Sequence, residues 1–300
     1  MLHAAGIEAH PVLVRTADAG PLAVDVSDLS QFNHFIVWAD DGACGLFLDG
    51  TVDFCPAGFV PAGDAGSPVL LLRPGAVELV EIPASAWAPG THERAVRGRL
   101  NLDGFLTLDL ECTITGNLAR RWRSYLTGLG HRKQQAAVER ILLPEGLGMH
   151  AGDTTIRGLD QWRAPLSVSL VVTSRSPLPR SGDRIFLPRT LSPSPPPTRP
   201  DIACGMWFDY RRAASWTESW CIDLPSGLTL AQPDSLSLGG AELRWMRQVR
   251  VEDSVLHLER SLRYLLELAT PEDVDALDAA VDEILGHDAG YFELVRTQGG

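Results

Sequence analysis

The residues of this 300-residue chain that best combine into chemistry are a histidine and an aspartate fifteen positions apart: His34 in Phe32-Asn33-His34, and Asp49 in Leu48-Asp49-Gly50-Thr51. His34 lies in a run of β-branched and aromatic residues and Asp49 ends the next such run. A hairpin of this spacing can set both side chains on neighbouring strands. An imidazole beside a carboxylate is a general base whose tautomer and orientation are fixed. Such a pair is two-thirds of a triad built on a thiol. The third member would be a cysteine near a helix N-terminus, where the dipole and a protonated histidine lower the thiol pKa. Spacing alone does not separate this role from a purely structural His–Asp contact.

The elements that must position the pair are strands. Residues 9–15, 32–38, 44–49, 68–73 and 76–82 read as five of them, with turns at Asp40-Asp41-Gly42 and Pro74-Gly75. Pro83 to Gly90 breaks the pattern and marks the best boundary. Beyond it, Leu100, Leu102, Leu106, Leu108, Leu110, Cys112 and Ile114 alternate with polar residues around Asp103-Gly104, which predicts a hairpin with one wet face. Helices are expected over 118–127 and 131–142, the first with Leu118, Trp122, Tyr125, Leu126 and Leu129 on one stripe. Leu166 to Val172 alternates as a strand, and the proline-rich 192–200 reads as an extended connection. Strands near 247–252 and 255–265 precede a helix with Thr270 as N-cap and Pro271 at its first position. Its apolar stripe is Val274, Leu277, Val281, Ile284 and Leu285, and Gly286 is its expected stop.

Composition narrows the classes. With 45 % apolar residues spread throughout, the chain is not disordered. No stretch approaches the roughly 18–20 uninterrupted apolar residues of a membrane helix, so no transmembrane segment is expected. A net charge of −12 argues against a nucleic-acid partner. The five cysteines (Cys44, Cys55, Cys112, Cys204 and Cys221) show no paired spacing, so neither a structural zinc site nor a disulfide framework is indicated. Only one of the 26 basic residues is a lysine, Lys133, which reads as coding bias.

Leu2-His-Ala-Ala-Gly-Ile7, Pro11-Val-Leu-Val14, Phe32-Asn-His34 and Leu48-Asp-Gly-Thr51 together resemble the bacterial transglutaminase-like family of the papain-like superfamily. The resemblance implies that Leu2–Gly6 ends the helix that bears the nucleophile, that His34 is the catalytic histidine, and that Asp49 is the catalytic aspartate. Gly50 stands where the family has proline. None of the five cysteines matches the family's nucleophile; Cys55, close to Asp49, is the only candidate for a displaced one. The expected fold is α+β: a truncated papain-like core with an antiparallel sheet over 1–82, then a β-rich, sandwich-like domain with a C-terminal helix over 91–300, subdivided near 145–165.

The function this implies is that of a fragment of a thiol acyltransferase or amide hydrolase, inactive as it stands because the nucleophile is missing. Its substrate would be a protein or peptide, with no metal and no cofactor required. Relatives with this domain order are exported, which would place the protein in the periplasm or outside the cell, although no export signal is visible in the chain. The competing expectation is a non-catalytic scaffold or binding module with a degenerate core. Loss of a covering helix would leave apolar sheet surface bare. Residues 1–82 produced alone are therefore expected to aggregate or bind a hydrophobic dye; a soluble fragment that unfolds cooperatively would contradict the assignment.

Overall fold

A computed structural model of the chain describes residues 2–16, 19–43, 45–61, 63–83, 90–143, 148–191, 215–240, 243–265 and 274–297. Among these, seventeen strands and three α-helices form three sheets, so the fold is mainly β. The expectation of an α+β, papain-like core is overturned. Among the described residues of 1–82 the helical structure is confined to short 3-10 turns, including His3–Ala5 and Leu29–Gln31. The five-stranded sheet has order β3-β2-β1-β4-β5, built from β1 (Ala9–Val14), β2 (His34–Ala39), β3 (Leu46–Leu48), β4 (Pro68–Arg73) and β5 (Ala76–Glu81). Its inner face is covered by its own loop, not by a helix. Val52, Cys55, Phe59, Val60 and Ala65 pack onto Val12, Val14, Ile36, Phe47, Val69 and Leu71. On the opposite face Phe35, Val77 and Leu79 are exposed.

Pairing in this sheet is antiparallel throughout. Leu2–Gly6 does end in a left-handed glycine, Gly6 at φ 76°, but it closes only a single 3-10 turn. Residues 84–89 of the expected boundary lie outside the described residues, as do 192–200, Thr270 and Pro271.

The larger sheet has eight strands in the order β14-β15-β16-β12-β6-β7-β9-β8. At its centre β6 (Thr91–Leu100) runs parallel to β12 (Ser215–Asp223), in register from Thr91↔Ser215 to Arg99↔Asp223, while its other neighbours are antiparallel. The expected hairpin is β6 with β7 (Leu106–Ile114). Next to β7 lies β9 (Leu166–Ser174), paired in turn with β8 (Met149–Arg157). On the other side β16 (Val255–Tyr264) and β15 (Leu243–Glu252) continue from β12, and β14 (Asp234–Gly239) forms the far edge. Apolar residues of the inner face (Val96, Leu108, Leu110, Leu170, Leu258) form a core with helices α1 (Gly116–Thr127) and α2 (His131–Leu142). A four-stranded sheet closes the same core: β10 (Arg180–Ser181), β11 (Arg184–Pro188), β17 (Tyr291–Arg296) and β13 (Leu228–Leu230).

Two expectations about helix faces shift. In α1 the buried residues are Ala119, Arg123 and Leu126, and Tyr125 is exposed. Arg123 is buried because its guanidinium donates to the carbonyls of Gly158 and Ala164. Helix α3 (Val274–Asp288) runs through Gly286, and Leu285 is exposed while Leu277, Val281 and Ile284 pack on Leu243, Trp245 and Leu262. Its C-terminal carbonyls do not need a glycine to end there. His287 O accepts from both Arg189 Nη1 and Arg247 Nη1 at 2.9 Å, which also places two cations at the negative end of the helix dipole.

Arg247 belongs to a buried chain of charge. Arg94 Nη1 meets Glu218 Oε1 at 3.3 Å, Arg260 bridges Glu218 and Asp288, and Arg247 bridges Asp288 and Asp234. Burial alone would raise the Glu218 carboxyl, but Arg260 and Arg94 hold it below its usual range. Beside it, His92 is buried against Trp122 and Trp216 at ring distances of 6.4 Å. Burial first, and Arg94 second, push its pKa down to about 3 against a weaker opposing effect of Glu218. The unfolded chain, with an ordinary histidine, therefore binds a proton below about pH 6.5 that the folded chain refuses. Stability from this group is complete above that pH and is lost as pH falls toward 3. His92→Phe should remove about 2–3 kcal/mol of the decline between pH 6.5 and 4.5, measured by urea unfolding across that range.

Candidate functional site

Strand β2 begins at His34, and what holds its start is a set of side-chain bonds to the preceding connection. Asn33 Oδ1 accepts from Thr16 N at 3.0 Å and Asn33 Nδ2 donates to Thr16 Oγ1 at 2.8 Å. Arg15 donates to the carbonyls of Ala19, Gly20 and Gln31, and Gln31 in turn bonds Ala23 and Val26. The 3-10 turn Leu29–Gln31 is capped by Asp28, which accepts from Ser30 N.

The β2–β3 hairpin pairs Val37 with Leu48, Trp38 with Phe47 and Ala39 with Leu46. Continued outward, that register puts Asp49 opposite Ile36 and on the same face as His34, two residues along: a diagonal pair. Trp38 anchors the hairpin. Its ring stacks on His10 at 5.8 Å, and the Arg73 guanidinium lies 4.6 Å from its centroid. Gly45, at φ 82°, lets the indole approach; a Cβ there would stand 2.2 Å from Trp38 Nε1.

The two expected residues meet. His34 Nε2 lies 3.1 Å from Asp49 Oδ2, with the aspartate side chain wholly buried and the histidine 22 % exposed. The second carboxylate oxygen, Oδ1, accepts from Thr51 N at 2.8 Å and Thr51 Oγ1 at 2.7 Å. Both oxygens are thereby committed and the carboxylate cannot rotate away from the ring. Among the described residues no hydrogen bond reaches His34 Nδ1.

Two further residues complete the surroundings, and neither stood out in the sequence. Asp64, 2 % exposed, is carried to the ring by the covering loop, with Oδ2 3.9 Å from His34 Nε2. Backbone turns fix it there: Asp64 N and Ala65 N donate to Pro61 O, and Ser67 N donates to Asp64 O. His34, Asp49 and Asp64 form the one grouping of three potential metal ligands among the described residues. Arg120, on α1 of the larger sheet's assembly, is within electrostatic reach of Cys55, Asp49 and Asp53 and is half-buried beside them.

Cys55, the candidate for a displaced nucleophile, is half-buried in the covering loop. Its thiol donates to Val52 O at 3.4 Å, and burial raises its pKa; Asp49 and Asp53 add to the rise, while Arg120 and a backbone hydrogen bond oppose it. Cys112 is buried and likewise raised, and Cys221 lies on the larger sheet next to His257. Cys44 and Cys204 lie outside the described residues.

No protein-family model and no curated protein matches the chain, so the transglutaminase-like resemblance rests on the quoted motifs alone. Two solved structures align with parts of the chain. A protein provisionally described as a protease, from Parabacteroides distasonis, aligns over 98 % of this chain at 13 % identity and a TM-score of 0.46. The chain spans 41 % of that structure's length. Baculovirus P35 aligns over 69 % of this chain and 97 % of its own, at 7 % identity and a TM-score of 0.15. At these scores neither likeness assigns a fold or an activity. No described helix is long and apolar enough to cross a membrane.

Thr51→Val tests the fixing of the carboxylate. It keeps the backbone donor and removes the hydroxyl from a buried charge, and should cost about 1.5–3 kcal/mol in urea unfolding. A loss below about 0.5 kcal/mol would show that the hydroxyl contributes nothing there.

Proposed function

We propose that His34 and Asp49 are the acid–base half of a thiol-dependent acyl-transfer or amide-hydrolysis site. The observation that supports this best is the orientation of the ring: Nε2 is held by the buried Asp49 carboxylate at 3.1 Å, and among the described residues no hydrogen bond occupies Nδ1. In a neutral imidazole held this way, Nε2 carries the proton given to Asp49, and Nδ1 presents its lone pair.

Nδ1 then takes the proton of a thiol, and the thiolate attacks the carbonyl carbon of a glutamine side chain or a peptide amide. The nitrogen leaving group departs with the proton returned from Nδ1, and a thioester remains. An amine or water attacks that thioester, giving its own proton to Nδ1, and the thiol is re-formed as the new amide or acid is released. Asp49 stabilises the imidazolium at both stages and keeps the ring aligned. The thiol that meets Nδ1 is supplied from outside the described residues, since none of the described cysteines hydrogen-bonds His34. No step requires a metal or cofactor, and a glutamine-bearing protein or peptide is the fitting substrate.

The test is ammonia release from a glutamine-containing peptide by the native protein purified from its source. His34→Ala should lower the rate by at least about 10³-fold and Asp49→Asn by about 10²–10⁴-fold, and prior treatment with iodoacetamide should abolish it. Release that is unchanged in His34→Ala would reject the catalytic reading in favour of a non-catalytic scaffold.

A further inference from the structure

An acid–base dyad needs one carboxylate, and this imidazole nitrogen has two. Asp49 Oδ2 and Asp64 Oδ2 lie 3.1 and 3.9 Å from the same His34 Nε2, and the two carboxylate side chains are 0 % and 2 % exposed. One ligand atom from each of the three residues falls within 4.8 Å of the others. Donors held about 2.1 Å from a common tetrahedral ion stand roughly 3.4 Å apart, a value that the two measured separations bracket. A neutral imidazole with two carboxylates carries two negative charges, which a divalent ion cancels in a place where charge is poorly solvated. One nitrogen among the donors favours a first-row transition ion over magnesium or calcium, which prefer oxygen alone.

We propose that His34, Asp49 and Asp64 bind a divalent transition-metal ion of the zinc class, and that this ion inhibits the dyad instead of serving it. The inhibitory half rests on the acid–base reading of His34; the binding half does not. The reason for inhibition is tautomeric. An imidazole whose Nε2 lone pair is given to a metal carries its proton on Nδ1. Nδ1 then is a donor only and cannot accept the proton of a thiol. The ion also takes the Asp49 oxygen that oriented the ring. Asp64, which the dyad does not need, is the residue that turns an orienting contact into a chelating one.

Zn²⁺ is titrated into the 300-residue chain in competition with a chromophoric chelator, and Co²⁺ is used as a spectroscopic probe. The expected result is one ion per chain, a visible Co²⁺ band, and a shift of the His34 Nε2 resonance in ¹⁵N spectra of the unaltered protein. His34→Ala and Asp64→Asn should each weaken Zn²⁺ by at least about 10-fold. His34→Ala alters a partly exposed ring, so it remains informative if Asp64→Asn fails to fold. Absence of binding to the unaltered chain, or a His34→Ala affinity equal to the parent's, overturns the site. Ammonia release by the native protein separates the two readings. Zn²⁺ that binds at His34 without slowing a His34-dependent rate overturns inhibition, while a rate independent of His34 overturns the acid–base reading and leaves the metal site intact.

Discussion

A carboxylate with no exposure to solvent must have its charge met by donors, and Asp49 is such a group. Its two oxygens answer to different elements. One closes the turn after β3 through Thr51, and the other holds the ring at the start of β2. The turn and the histidine are therefore not independent features: a change that releases either leaves a buried charge short of a donor. The rest of the small sheet serves this arrangement. Trp38 and Gly45 fix the hairpin, Arg15 and Asn33 fix the approach to His34, and the covering loop delivers Asp64.

The larger sheet manages a similar problem on a larger scale. Its buried charges run from Arg94 on β6 through Glu218, Arg260 and Asp288 to Arg247 and Asp234. Such pairs add little net stability over apolar packing, yet breaking one partner is costly. Here they tie β6, β12, β16, β15 and β14 to the end of α3, whose His287 carbonyl Arg247 also caps together with Arg189. Arg120 on α1 lies within electrostatic reach of Asp49 and Cys55.

Much of the strand framework was legible because alternation has a direct physical cause. Leu106, Leu108, Leu110 and Cys112 face the core while Asp109 and Glu111 face water, and β16 reads the same way. The His34–Asp49 contact was legible from spacing for the same reason, since hairpin register sets which side chains share a face. What failed was the inference of a helical cover. The sequence over 52–65 carries Val52, Phe59 and Val60 among glycines and prolines and has no period, so nothing in it shows that it packs on the sheet in place of a helix. Asp64 was hidden with it. Strand β8 escaped because it is built largely of small and polar residues and is interrupted by an irregularity between Ala151 and Thr154. Of the stripe expected for α1, Leu118, Trp122, Leu126 and Leu129 do pack on the core; Arg123 was missed because an arginine with satisfied donors does not register as apolar.

The parallel contact between β6 and β12 also bears on how the chain is made. Arg94 and Glu218, partners at the sheet's centre, are 124 residues apart in sequence. At translation rates of about 5–20 residues per second, β6 emerges roughly 6–25 s before its partner exists. During that time it can pair with β7 along one edge only, while the other edge offers a full row of unsatisfied backbone groups. Contacts of such long sequence separation also form slowly once the chain is complete. The strand at the heart of the finished sheet is thus, on the ribosome, an edge that a chaperone or a neighbouring nascent chain reaches first.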